Sequence, residues 1–433
     1  MFLVDEKLSH KSIDPTISNL IIEGDNYDVM KELQNPVDFM LWDPPYNTGK
    51  IRTYNDKFNN ISDASRHSKW LSFMEVRLEL AKKLLKDTGV IAVHISYHEL
   101  FRLGLLMDEV FGEDNRLGII NWECAYSPKN DNKGIPSTTD YVLIYAKNKN
   151  LAFRGVIPRT ESMDSHYKNP DGDSVRWKSE NLSAASGTND YFYGIENPFT
   201  GQLNFPPSNR FWVYPKTRAK EILSKWDIHY TIDKDGNCVV LKGSDVKKAK
   251  KVLENGPWPM IFFGQNGLGR PARKLHINKL KNEGRVLGTY WQAEDILDIN
   301  NQTISLCLPY EDSGHNAGAK KLIKAILGDK CVFDTPKPLK LTERLIEMFC
   351  PKDGTVLDAF AGSATTAHAV LSLNAQGAQR KFIIIERGSD NHGYADSITA
   401  ERVRRVIDGK WAHPHKDTKA TGGSFVYLKA VVF

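Results

Sequence analysis

Short apolar runs alternate with amphipathic stretches along this chain, and polar turns separate them. Leu20-Ile21-Ile22 gives way to Glu23-Gly24-Asp25-Asn26, after which Tyr27 to Leu33 reads as a helix. Val37 to Trp42 is almost continuously apolar, as expected of a strand covered on both faces. Asp43-Pro44-Pro45-Tyr46 must end that strand, because proline cannot donate to a central ladder. Leu71, Met74, Leu78, Ala81 and Leu85 recur at helical spacing between Lys69 and Lys86, and Gly89 is the expected helix stop. A buried strand at Val90 to Ile95, a helix from about His98 to Val110 and a strand around Tyr141 to Tyr145 follow.

From about residue 150 to 330 the pattern becomes poorly periodic and rich in Asn, Ser, Gly, Pro and aromatic residues. After Pro336 the earlier rhythm returns. A helix is expected over Leu339 to Phe349 and a strand over Thr355 to Asp358. A turn at Ala359 to Ser363, a helix from Ala364 to Leu373 and a strand from Lys381 to Glu386 complete the series. Strands alternating with helices indicate a doubly wound, mostly parallel α/β sheet. Two such pieces around a different middle predict one sheet built from both ends of the chain. The expected divisions are 1–150, a separate mixed α/β domain at 151–330, and 331–433.

Composition narrows the field only slightly. The 433 residues are ample for more than one core. Lys and Arg outnumber Asp and Glu by 58 to 53, a formal charge of +5, which is a weak pointer to nucleic acid. Five scattered cysteines without a CxxC pair argue against a disulfide framework or a zinc site, and buried reduced thiols are expected. No secretory leader and no apolar run of membrane length is visible, so a cytoplasmic chain is expected.

Two turns carry candidate chemistry. Val356 to Ser363 runs from a buried strand through a sharp small-residue turn into a helix. Small residues let a ligand approach the backbone, and the helix N-terminus offers free N–H groups to an anion. Glu386, at the end of the next strand, is placed to accept from ribose hydroxyls. A methyl donor with a carboxylate fits this turn. A nicotinamide or other nucleotide, or a plain strand–turn–helix, fits it too, although GxGxxG is missing.

The second turn is Asp43-Pro44-Pro45-Tyr46. An amine conjugated to a base is a poor nucleophile because its lone pair is delocalised. A carboxylate and a carbonyl that both accept its N–H groups would aim that lone pair at an electrophile. Asp43 and the Pro44 carbonyl are the candidate acceptors, and Tyr46 is the candidate stacking partner for a base out of its duplex. Neither a metal nor a covalent enzyme intermediate is required. An ordinary strand-ending turn is the alternative. The two turns lie at opposite ends of the chain, yet both follow predicted strands, where doubly wound sheets bind ligands.

Taken together, Leu20 to Asn26, Asp43-Pro44-Pro45-Tyr46-Asn47-Thr48-Gly49, Asp140 to Asn148, Thr335-Pro336-Lys337-Pro338-Leu339, Asp358 to Ser363 and Glu386 resemble the β group of DNA amino-methyltransferases. The modification subunits of type III restriction systems are the most similar. That resemblance implies a circularly permuted, Rossmann-like methyltransferase sheet with the catalytic half first, an inserted target-recognition domain, and the cofactor half last. It implies S-adenosylmethionine as cofactor and adenine N6 in double-stranded DNA as acceptor, with Asp43 favouring adenine over cytosine. Cytosine N4 remains an alternative, as do a silent DNA-binding regulator and methylation of protein glutamine or RNA.

Residue by residue, the resemblance assigns Asp25 to the cofactor adenine, and Lys337 and Leu339 to the methionine end. Asn26, Asp43, Asp358, Phe360, Gly362, Ser363, Thr365 and Glu386 join them around the cofactor. Asn47 and Tyr54 are assigned to DNA. The stretch His94-Ile95-Ser96-Tyr97-His98 departs from relatives that carry an acidic residue near Tyr97, and how this loop is braced stays open. A homodimer and a restriction subunit are possible partners; the chain is shorter than expected for a full modification subunit. In the middle segment, the basic run through Arg270, Arg273 and Lys274 could lie on phosphates or be a solvated face. Trp212 is expected in the core.

Overall fold

The computed structural model describes residues 1–16, 18–48, 63–125, 134–158, 164–280, 284–285, 288–292, 296–299, 302–305, 313–388, 394–415 and 418–431. The chain forms two compact units, Met1–Ile157 with Val286–Phe433, and Pro158–Arg285.

The first unit is organised on a ten-stranded sheet. In chain order its strands are β1 (Phe2–Val4), β2 (Asn19–Glu23), β3 (Val37–Trp42), β4 (Leu85–Ile95) and β5 (Arg116–Glu123), followed by β6 (Thr139–Ala146), β7 (Tyr290–Trp291), β8 (Thr355–Asp358), β9 (Lys381–Glu386) and β10 (Phe425–Ala430). The spatial order is β1-β10-β2-β9-β8-β3-β4-β6-β5-β7. From β10 to β4 every neighbouring pair is parallel. The two chain ends interleave: β2 lies between β9 and β10, and β8 pairs with β3 through Val356 with Phe39 and Leu357 with Met40.

Alternation along the central strands builds a three-layer core. Ile21, Phe39, Leu41, Val356 and Ile384 face one side. There they meet α4 (Asn316–Leu327), α5 (Leu339–Phe349), α6 (Thr365–Ala375) and α7 (Glu401–Asp408). Ile22, Met40, Trp42, Leu357 and Ile385 face the other side, against α1 (Asn26–Glu32), α2 (Arg66–Leu84) and α3 (Leu100–Phe111). Both sheet faces are covered, which is why these strands read as unbroken apolar runs.

Chain direction fixes where a ligand can enter. From β8 the chain passes through α6 to β9 on one side, and from β3 through α2 to β4 on the other. The strand order reverses between β8 and β3, so their carboxyl ends border the crevice where such sheets bind ligands.

The sequence expectations need three adjustments here. Helix α2 ends at Leu84 and β4 begins at Leu85, so Gly89 lies inside a strand instead of stopping a helix. The middle boundary at 330 falls too late. Residues 286–330 belong to the first unit, because β7 pairs with β5 and Leu322 and Ile326 of α4 pack into the core of the sheet. The thiols are not uniformly buried: Cys124 and Cys350 are, but Cys238 is exposed.

The second unit is a mixed α/β body. It has a three-stranded sheet (Trp177–Asn181, Ile261–Phe262 and Ala272–His276), a four-stranded sheet ending at Thr231–Asp235, and helices at Lys216–Leu223 and Val246–Asn255. Its core is aromatic, with Trp177, Trp212, Trp226 and Trp258 buried beside Tyr193, Tyr230 and Phe263. Trp212 is therefore a core residue, as its size suggested.

Candidate active site

The turns after β3 and β8 line one cavity of about 860 Å³. Asp43, Pro44, Tyr46, Asn47 and Thr48 come from the first, and Asp358, Phe360, Gly362, Ser363 and Thr365 from the second. His94 and Ser96 at the end of β4, and Phe333 and Lys337 from the segment before α5, complete much of the wall.

The first turn is held from both sides. Trp70 of α2 donates its indole N–H to the Pro45 carbonyl at 2.7 Å. Asn47 occupies the left-handed region with φ 53°, which asparagine tolerates better than most residues. Its Nδ2 donates at 2.6 Å to Glu99, a fully buried carboxylate that also meets His67 and accepts from Arg102 at 3.3 Å. Glu99 is thus the acidic brace that the sequence left unassigned. It sits two residues beyond Tyr97, at the start of α3, and a search limited to the Tyr97 position passes it by. The Pro44 carbonyl accepts no hydrogen bond from the described residues.

Lys337 donates to Asp43 at 2.5 Å, and its ammonium lies 5.0 Å from the centre of the Tyr46 ring. Burial pushes the Asp43 carboxyl up. The Lys337 ammonium outweighs that and holds it below the usual carboxylate value. Asp43 is therefore an anionic acceptor at neutral pH. The Tyr46 hydroxyl lies near enough to help hold that charge, yet it is not placed to complete a hydrogen bond. His94 is buried, and burial followed by the Lys337 charge drives its pKa down to about 3, so it is neutral. Among the described residues, four buried polar atoms of the cavity lining find no partner: Trp42 Nε1, Tyr46 Oη, Asn47 Oδ1 and His94 Nδ1. Each orphaned polar atom costs on the order of 1–3 kcal/mol, and a polar ligand would recover it.

The second turn presents backbone to the cavity. Asp358 accepts from the Phe360 N–H at 2.9 Å and the Thr366 hydroxyl at 2.5 Å. Burial, with Asp43 and Glu386 nearby, still raises its pKa to about 7. Gly362 has φ 49°, and a Cβ there would lie 3.0 Å from the Phe333 ring, so a side chain would both strain the turn and crowd the cavity. Ala364 adopts φ 61° just before α6, a conformation that glycine would take more cheaply.

Several sequence assignments lie elsewhere. Glu386 is buried with its carboxylate taking the Gly362 N–H at 2.6 Å and the Arg387 N–H at 3.0 Å, so it holds the turn and does not line the cavity. Asp25 caps α1 through the Tyr27 N–H and pairs with Arg77 and Arg387, at 3.3 and 2.6 Å. Asn26 bonds the Ala359 carbonyl at 2.7 Å and accepts from Arg77. Asp25 and Asn26 lock α1 to the β8 turn, outside the cavity lining. Leu339, the first residue of α5, packs against the core and does not line the cavity. Lys337 is in the cavity, but its partner is Asp43. Tyr54 lies outside the described residues.

The basic run in the second unit separates into different roles. Lys274 is buried between Asp171 and Asp173, and cannot meet phosphate without breaking that network. Arg273 pairs with Glu180. Arg270 is bonded through one nitrogen to the Phe205 carbonyl at 2.6 Å at an exposed position. Strand alternation within Ala272–His276 turns Lys274 inward, which a reading of charge alone does not register.

A DNA methylase family model, for N6 and N4 methyltransferases, matches residues 37–396, and this chain belongs to that family. It is similar to the type III restriction-modification enzyme StyLTI Mod subunit of Salmonella typhimurium, at 32% identity over 93% of this chain and 58% of that protein. It is also similar to the type II methyltransferase M.KpnI of Klebsiella pneumoniae, at 29% identity over 94% of this chain and 89% of that one. The chain thus spans under two thirds of the StyLTI subunit's length. Among solved structures, a putative DNA modification methylase of Thermus thermophilus, TTHA0409, aligns over 91% of this chain and 98% of its own, with TM-score 0.40 and 13% identity. In the described residues no helix is long and apolar enough to cross a membrane.

Proposed function

We propose that this chain transfers a methyl group from S-adenosylmethionine to the N6 amine of an adenine turned out of double-stranded DNA. The observation that carries this reading is a juxtaposition. Asp43, held ionised by Lys337, shares a cavity with the Asp358–Ser363 turn although more than 300 residues separate them.

S-adenosylmethionine would supply an electrophilic methyl group on a sulfonium sulfur. The Gly362–Ser363 turn and the start of α6 suit its carboxylate, and the Asp358 carboxyl suits its cationic groups. The Asp43 carboxylate would accept one N–H of the adenine amine and the Pro44 carbonyl the other. Both acceptors are set before the base arrives, so the nitrogen lone pair is held in line. Tyr46 would stack on the base. The nitrogen becomes acidic once methylated, so Asp43 can take its proton without being a strong base. Asp at position 43 favours adenine over cytosine.

The order of the chain, with the catalytic half before the cofactor half, fits a circularly permuted methyltransferase. Residues 158–285 fit an inserted target-recognition domain. A restriction subunit as partner accords with the name of the similar Mod subunit, and a second copy of the chain and a cytoplasmic setting belong to the same proposal.

Incubating the protein with labelled S-adenosylmethionine and a mixed pool of duplex DNA, then sequencing for modified bases, tests the reading. N6-methyladenine in a short recurring context is expected. Label on cytosine N4 would change the base, and no transfer to any DNA would overturn the assignment.

A further inference from the structure

Arg402, on α7, is 1% exposed. Its Nη1 donates to the Ser363 carbonyl at 3.0 Å, the Ser363 hydroxyl at 3.1 Å and the Thr365 hydroxyl at 2.9 Å. Its Nη2 meets His368 Nδ1 at 3.3 Å, and its Nε has no partner among the described residues. No carboxylate of the described residues pairs with it. Burial brings its pKa down to about 9, which leaves it charged at neutral pH, and burial keeps His368 neutral. A buried cation without an anion is costly, and such cations are ordinarily paired.

The bonds it makes show what could complete it. A hydroxyl whose oxygen accepts from a guanidinium must turn its own hydrogen elsewhere. Ser363 Oγ and Thr365 Oγ1 are 3.4 Å apart, so at most one hydrogen is used between them. Both residues line the cavity at the start of α6. A hydroxyl polarised by a neighbouring cation is a stronger donor. Lys337, the lysine that lines the same cavity, is already engaged by Asp43.

We propose that Arg402 is a positioning residue that makes the Ser363 and Thr365 hydroxyls donors for the carboxylate of an amino-acid-bearing nucleoside. The charge acts through these two side chains, without touching the ligand, and gives the pocket its preference for a donor with an intact amino-acid end. This rests on the methyl-donor reading above.

Calorimetry on the whole chain tests it with two ligands: S-adenosylhomocysteine, and its decarboxylated counterpart, which keeps the amine and the nucleoside. The parent protein should prefer the carboxylate form by about thirtyfold, as for a charge-assisted pair of hydrogen bonds. Arg402→Met should reduce that preference to about threefold, mainly through weaker S-adenosylhomocysteine binding. Arg402→Lys, which keeps the charge but not the fork, should fall between them. A strut that merely holds α7 to the turn would weaken both ligands alike in Arg402→Met, and that result overturns the proposal. Should Arg402→Met fail to fold, the double variant Ser363→Ala/Thr365→Val must lose the same preference with Arg402 in place. Equal affinity of the parent for both ligands sinks this inference alone; binding of neither sinks the methyl-donor reading with it.

Discussion

Among the lysine–aspartate pairs of this molecule, Lys274–Asp171 in the second unit and Lys337–Asp43 in the first differ in what surrounds them. In the second unit, Lys274 and Asp171 have side chains 1% and 0% exposed. The Asp171 carboxylate also takes the Trp177 indole N–H at 2.8 Å and the Trp258 backbone N–H at 2.7 Å. Asp173 holds Lys274 from a second direction and bonds His276 at 3.0 Å. In the first unit, Lys337 and Asp43 are 11% and 31% exposed and line a cavity. Around them Tyr46, Asn47, His94 and Trp42 each leave a buried polar atom unpaired among the described residues. A saturated pair has nothing left to offer a ligand and serves the fold. A pair beside unspent donors and acceptors is incomplete until something enters.

That contrast can be broken experimentally. The largest effect is expected at Asp43. Asp43→Ala should reduce methyl transfer by about a thousandfold, as when a preorganised transition-state contact is lost, while calorimetry finds S-adenosylhomocysteine affinity within a few fold of the parent. Comparable loss of both would make Asp43 part of the cofactor pocket.

Lys274→Met should do the opposite. It strands Asp171 in the core and should destabilise the second unit by about 3–5 kcal/mol in urea denaturation, leaving cofactor affinity unchanged. A negligible loss of stability would mean that the network is replaceable.

Lys337→Met sharpens the comparison through pH. The Asp43 carboxyl is held low by Lys337 against the opposing effect of burial. The charged form is therefore present above the ordinary carboxylate value and is lost as pH falls through the depressed one. Without Lys337 burial prevails, so the acidic edge of the pH–rate profile should move to higher pH. An unmoved edge would assign it to another group.

A smaller effect concerns Asp358, which titrates near pH 7 with burial as the main cause. Its native-state value is raised, so its contribution to stability is fully present below the unfolded value and is lost as pH rises through about 7. A cationic ligand beside it favours the charged form. Calorimetry in buffers of differing ionisation heat should detect proton release on S-adenosylmethionine binding at about pH 6 and almost none at about pH 8. The smallest effect is expected at Ala364, where Ala364→Gly should stabilise the protein by about 1 kcal/mol in denaturant titration by relieving the left-handed backbone.

The parts of this molecule that the sequence made legible are those governed by local pattern. Val37–Trp42 and Thr355–Asp358 are strands because their apolar runs are bounded by turn residues, and α5 and α6 follow from helical spacing. The edge strands β1 and β7 and the C-terminal strand β10 are not legible in the sequence, since such segments take their partners from elsewhere in the fold. Glu99 and Arg402 escaped for a related reason. Nothing local distinguishes a buried carboxylate or guanidinium from the charges on a solvated helix. Glu386 and Asp25 stand at the expected strand ends, but the direction in which their carboxylates point depends on Gly362, Arg77 and Arg387.

By itself the sequence determined the alternating elements, the breaks at Asp43-Pro44-Pro45-Tyr46 and Asp358–Ser363, and the family to which they belong. These rest on backbone sterics and on apolar periodicity, which act between near neighbours. The tertiary structure decided which charges are spent and which remain available. Lys274 faces inward, Lys337 turns to Asp43, and Arg402 sits beneath Ser363 and Thr365. Burial and hydrogen-bond saturation depend on groups brought together across hundreds of residues, and the low dielectric they create exists only once the sheet has closed around them.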